Sequence, residues 1–174
     1  MASNTYSLIS TITTTGTTTV SFTSIPQTYT DLVLRFMIKN SNSATSSALN
    51  ITFNSDSTST NYSSEILRSG TDTGQNGIGQ WQGNLGFYQS LSAQGSLWQG
   101  FANAELYIPN YTSTAQRPFF NYGTMTDFAS TSGQSNFQGG SYLGTSAISS
   151  IQMTTPTAGT FNTTLISLYG IKKN

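Results

Sequence analysis

The sequence predicts an all-β chain, folded as an antiparallel β-sandwich of the jelly-roll type in one domain over residues 1–174. Three observations point there. Apolar and polar residues alternate in short runs, turn-forming residues break the chain about every ten positions, and no stretch keeps a 3.6-residue period. The best-determined run is Thr30 to Asn40, where Leu32, Leu34, Phe36 and Ile38 share one parity and Asp31, Arg35 and Lys39 the other. In a pleated strand these sets face opposite sides. Val33 and Met37 also sit on the second side, so that face is only partly wet and the strand belongs in the middle of a sheet.

The remaining elements follow in chain order. Tyr6 to Ile12 and Thr17 to Phe22 are two short strands broken at Thr13 to Gly16, expected to form a hairpin. Ser24 to Gln27 is a corner, because Pro26 fixes its own φ and donates nothing to a ladder. After a polar loop from Asn40 to Ser47, Leu49, Ile51 and Phe53 alternate with Asn50, Thr52 and Asn54. A loop from Ser55 to Asn61 follows, then a strand of mixed face from Tyr62 to Leu67. Ser69 to Gly79 reads as an exposed loop, and Gln80 to Leu97 is too loosely patterned to place. Trp98 to Ile108 alternates again and stops at Pro109; Phe119 to Thr124 is a short aromatic strand. Asp127 to Gly140 reads as a polar loop punctuated by glycine. Ile148, Ile151 and Met153 mark a strand whose parity change suggests a bulge. Leu165 to Ile171 is apolar on both faces, which places a final strand inside a sheet. The chain shows no internal repeat of the kind that builds propellers or solenoids.

Composition narrows the function classes. Charged residues are 7% of the chain, six basic against six acidic, while Ser and Thr supply about a third of all positions. Arg35, Lys39, Arg68 and Arg117 are scattered and only Lys172 and Lys173 adjoin, so no basic patch for nucleic acid is expected. There is no cysteine for a disulfide or thiolate site, and no histidine to activate a serine. Met1 to Tyr6 has neither the basic nor the apolar region of a signal peptide, and no run has the length of a membrane span. The expectation is synthesis in a cytoplasm without signal-peptide export, and no membrane insertion.

The acids are Asp31, Asp56, Glu65, Asp72, Glu105 and Asp127. Glu65 and Glu105 fall in strands and could meet across a sheet as a glycosidase pair, against the plainer reading of a solvated or salt-bridged face. Asn54 to Thr58 lacks the acids and glycine of an EF-hand loop, and the runs Gly74 to Gly79 and Gly133 to Gly140 lack a strand-to-helix setting for phosphate. No catalytic residue, metal or cofactor is therefore expected. What remains is a surface of hydroxyls, amides and rings, with Trp81, Phe87, Tyr88, Trp98, Tyr111, Arg117 and Phe119 as candidate interface residues.

Several phrases, in order, carry a resemblance: Ser24-Ile25-Pro26 with Tyr29 to Arg35, Asn54-Ser55-Asp56 leading to Asn61-Tyr62-Ser63, Ile108-Pro109-Asn110-Tyr111, Ala147 to Ile151, and Ser167 to Lys172. Together they resemble small β-rich virion proteins of tailed bacteriophages, especially those of cyanobacterial and marine hosts, over most of the chain from Ser24 to Lys172. The middle, Gly70 to Leu97, departs from that pattern. The resemblance implies a structural subunit, often a homotrimer, on a head or tail, with no catalytic residues to carry over. Fibres need a shaft, and this sequence has neither heptads nor repeats. The expectation is a capsid decoration or cement protein in the virion, partnered by its own copies and by the major capsid protein or another virion protein. A head or tail fibre domain touching host surface glycans is the alternative, and a free-standing glycosidase ranks last.

Overall fold

A computed structural model describes residues 5–41, 49–70, 77–82, 92–93, 101–126, 133–155 and 159–172. The described strands are β1 (Tyr6–Thr14), β2 (Thr19–Phe22), β3 (Asp31–Asn40), β4 (Asn50–Phe53), β5 (Tyr62–Gly70), β6 (Gly77–Gln82), β7 (Ser92–Ala93), β8 (Ala102–Ile108), β9 (Arg117–Thr126), β10 (Gly133–Tyr142), β11 (Ile151–Thr154) and β12 (Phe161–Ile171). One turn of 3₁₀ helix, Ser59–Asn61, is the sole helical element among the described residues. A large nine-stranded sheet runs in the order β1-β12-β3-β8-β9-β10-β5-β6, with β7 attached to β3, and a small sheet runs β2-β11-β4. Among the described residues every strand pairing is antiparallel except the two-residue contact of β7 with the end of β3.

β3 organises this arrangement, as its alternation predicts. Leu34 pairs with Leu168 of β12 on one side and Leu106 of β8 on the other, all three fully buried. Leu32, Phe36 and Ile38 line the same inner face and meet Val20, Phe22, Ile51, Phe53, Ile151 and Met153 of the small sheet in one hydrophobic core. β12 lies between β1 and β3, so its two apolar faces match an interior position.

The wrapping is that of arches. β1 leads to β2, β3 to β4 and β11 to β12, each pair crossing between sheets, and the order β1-β12-β3 in the large sheet repeats as β2-β11-β4 in the small one. This corrects the expected hairpin: β1 pairs with β12 and β2 with β11. A turn around Gly16, at φ +77°, serves either arrangement. The arch wins because it buries Val20 and Phe22 beneath the large sheet, which an isolated hairpin cannot do.

Three other expectations change. The stretch read as a polar loop from Asp127 to Gly140 contains most of β10, which is in continuous register with β9 and β5. Its buried face carries Asn136 and Gln138 where hydrophobic residues would normally announce a strand. Most of the supposed loop from Ser69 to Gly79 that can be described belongs to the ends of β5 and β6; residues 71–76 lie outside the described residues. Ile148 is buried but precedes β11, so the parity change marks the start of that strand and no bulge is needed.

Polar loops are tied to the sandwich by single side chains. Asn54, at φ +54°, accepts at Oδ1 from the Ser149 and Ser150 amides (2.8 and 3.2 Å) and donates from Nδ2 to the Ala147 carbonyl (2.9 Å). Asp56 accepts from the Thr58 amide (2.9 Å), Asn61 Nδ2 (2.7 Å) and the Tyr142 hydroxyl (3.0 Å). The carboxylate oxygens in the segment considered for calcium are thus engaged by protein donors. Burial pushes the Asp56 carboxyl up, but the bonds from Asn61, Thr58 and Tyr142 outweigh it and hold it below its ordinary value. A depressed folded-state pKa gives stability that is present above the unfolded carboxyl's pKa of about 3.9 and is lost as pH falls through the folded one. Denaturant titrations between about pH 5 and pH 2 are expected to show a smaller loss for Asp56→Asn than for the parent chain, because that increment is already missing.

Candidate functional site: the outer face of the large sheet

Strand register determines which side chains share the face turned away from the small sheet. One row runs Ser167, Arg35, Glu105, Tyr122, Phe137 and Leu67 across β12, β3, β8, β9, β10 and β5. The next row runs Tyr169, Val33, Tyr107, Phe120, Gly139 and Glu65. Of the eight large apolar side chains exposed among the described residues, seven lie here: Tyr6, Leu8, Leu67, Phe120, Tyr122, Phe137 and Leu165. Leu67, Tyr122 and Phe137 are more than half exposed and adjoin one another. Leu143, the eighth, directly follows β10. Scattered apolar residues on a surface need no explanation, whereas clusters on one face, here Phe120, Tyr122, Phe137 and Leu67 on β9, β10 and β5 and Tyr6, Leu8 and Leu165 on β1 and β12, mark a contact.

One ion pair stands out on this face. Arg35 Nε donates to Glu105 Oε2 at 2.7 Å, and the guanidinium lies 5.4 Å from the Tyr6 ring centroid and 5.5 Å from that of Tyr169. The two rings meet edge to face at 6.5 Å. The bond to Glu105 raises Arg35 above its ordinary pKa; burial and the neighbouring Glu105 raise Tyr122. Both therefore hold their protons at neutral pH. The pair borders a shallow hollow of about 470 Å3 lined by Arg35, Met37, Asn103, Glu105, Tyr122 and Tyr169. A second hollow, about 690 Å3, lies toward Glu65, Leu67, Pro118 and Phe137. An exposed ion pair contributes about 0–1 kcal/mol to folding, so Arg35 and Glu105 bear more on what docks here than on stability.

Glu65 and Glu105 do not form an acid pair. Both point outward, but β9 and β10 separate their strands, and three strand spacings place them at least roughly 14 Å apart. That exceeds the separation at which two carboxylates share a glycosidic bond. Glu105 is instead occupied by Arg35. Asp31, at the start of β3, is buried and accepts from the Tyr107 hydroxyl (2.7 Å) and the Asn110 amide (2.8 Å). Burial and that hydrogen bond push Tyr107 up to about 12.

Three of the residues expected at an interface are interior. Tyr111 is fully buried with its hydroxyl on the Pro26 carbonyl, and Phe119 packs 6.4 Å from Phe53. Arg117 is buried as well, donating to the Ser113 and Gly144 carbonyls with its guanidinium 4.8 Å from the Tyr142 ring. The reason is parity: Arg117, Phe119 and Asn121 form the inner set of β9, and Phe120 and Tyr122 the outer. Trp81 falls in β6, of which only the backbone is described, and Phe87, Tyr88 and Trp98 lie outside the described residues. The rings that do face outward were missed because β9 inverts the usual pattern, hiding an amide and exposing aromatics. Comparison with models of protein families, with curated proteins and with solved structures finds no match to this chain.

Proposed function

We propose that this chain is a non-enzymatic structural protein of a bacteriophage virion, a capsid decoration or cement protein that docks through the outer face of its large sheet. The carrying observation is the gathering of seven exposed large apolar side chains on that face. The virion setting rests on the ordered resemblance between Ser24 and Lys172. Magnitudes fit an array: completing the burial of seven half-exposed side chains is worth roughly 5–10 kcal/mol, against an association cost of about 4–15 kcal/mol. A single contact is marginal, and subunits held at several points on a repeating head surface gain from effective concentration. Partners are the major capsid protein or another virion protein, and other copies of this chain.

The test is association with particles lacking the protein. The double variant Tyr122→Thr, Phe137→Thr is expected to lose binding by about 100-fold or more while its unfolding midpoint stays close to that of the parent, since both side chains are half exposed and threonine suits a strand. Retained binding would refute the docking face. Hundreds of copies per particle fit decoration, and about a dozen fit a vertex or tail.

A second reading is a fibre-type domain that holds host surface glycans. It is favoured by the hollow beside Arg35 and Glu105, whose lining includes Tyr122, Tyr169 and Asn103. Particles without the protein would then keep intact heads and fail only to adsorb.

A further inference from the structure

The first 30 residues contain no Asp, Glu, Lys, Arg or His. Their described strands form one side of the sandwich, with β1 as the terminal strand of the large sheet and β2 as the terminal strand of the small one. A terminal strand presents unpaired N–H and C=O groups, and proteins that stay single blunt such edges with charge, proline, short length, a β-bulge or a covering segment. Of these β1 carries only a bulge near its start. It is nine residues long, contains only Tyr, Ser, Leu, Ile and Thr, and alternates exposed with half-buried side chains, and no other described strand pairs with its outer edge. Its one irregularity is the bulge between Leu8 and Ser10. Beyond it, Ser10 to Thr14 run in unbroken register with Leu168 to Thr164 of β12, leaving a regular outer edge.

We infer that β1 is a self-association edge: it pairs antiparallel with β1 of a second copy across a two-fold axis near Ile12, joining two large sheets into one. A second copy is the fitting occupant because an antiparallel pair of identical strands is self-complementary about a two-fold axis. No like charges are brought together, since the edge carries none, and β2 in the layer beneath is uncharged too. The ladder hydrogen bonds supply attraction that does not depend on the docking face. The arrangement is two-fold, unlike the trimer implied by the resemblance.

Sedimentation equilibrium of the full chain tests this. The parent chain is expected to be a dimer. Ser10→Lys with Thr13→Lys, which adds four lysines at the pairing line of a dimer, is expected to raise the dimer dissociation constant at least about 100-fold. Ser10→Asn with Thr13→Asn, and the docking-face variant Tyr122→Thr, Phe137→Thr, are expected to remain dimeric, so failure of this edge and failure of the docking face are separable. A parent chain that is monomeric at about 100 µM, a trimer, or a dimer indifferent to the lysines would overturn the inference. Should the lysine variant not fold, Ile12→Cys decides: the chain has no native cysteine, so mild oxidation is expected to give a disulfide-linked dimer, and a product that stays monomeric would contradict the pairing.

Discussion

Replacing Phe53 by Ala lowers the stability of the chain by about 3–5 kcal/mol. Phe53 ends β4 at the edge of the small sheet and is 1% exposed. Its ring lies 5.3 Å from that of Tyr142, 6.2 Å from Tyr62 and 6.4 Å from Phe119, residues of β10, β5 and β9. One side chain thus joins the small sheet to three strands of the large one. Its backbone amide also donates to the Tyr62 hydroxyl at 3.0 Å, and that hydroxyl donates to the Asp56 carbonyl at 3.0 Å, so the ring cluster and the loop after β4 are held together. Alanine removes the buried area and leaves a cavity that rings fixed by strand register cannot close. Phe53→Leu keeps much of the volume and is expected to cost less than half as much. Urea denaturation with an unchanged slope reads both values; a loss below about 1 kcal/mol for alanine would mean the layers are joined elsewhere.

Arg117→Ala is expected to cost about 2–5 kcal/mol. The guanidinium is buried at the start of β9, holds the carbonyls of Ser113 and Gly144 and faces the Tyr142 ring, and burial lowers its pKa. No carboxylate is among these contacts, so the side chain works as a clip between two loops. Truncation orphans two carbonyls and empties the space of a long stem. Lysine offers a point charge where a planar fork spans two acceptors, and so recovers little. Methionine fills the stem's volume and is expected to fall between the parent and alanine. Equilibrium denaturation gives the order, and limited proteolysis of the loops around residues 113–116 and 143–147 is expected to speed up in the alanine variant alone or most strongly; equal stability of all four chains would remove the clip.

How far the fold could be read from the sequence depended on which faces followed hydropathy. β3, β4, β8 and β12 are legible because Leu, Ile, Phe and Ala recur at alternate positions on their inner faces. β10 is not, because its inner face is built from Asn136 and Gln138, with Gln138 Nε2 donating to Ser64 Oγ at 2.9 Å. Glycine adds to the disguise at Gly140, where a Cβ would fall 2.3 Å from the Phe119 ring and the Ser63 carbonyl, so a small residue there reflects close strand packing and no loop. The same inversion hid the site. Asn121 points in and Tyr122 out, and residue type alone does not tell which of two neighbours in this strand is buried. Parity along β9 carries that rule once a single inward residue such as Phe119 is known. The arches were illegible for a different reason: a turn between two short strands looks the same whether they pair with each other or part to separate sheets.

Oxidative labelling of side chains on the assembled particle, compared with the free chain, tests the central claim most directly. Docking through the outer face is expected to protect Leu67, Phe120, Tyr122 and Phe137 together. Equal reactivity of those four in both states would contradict it.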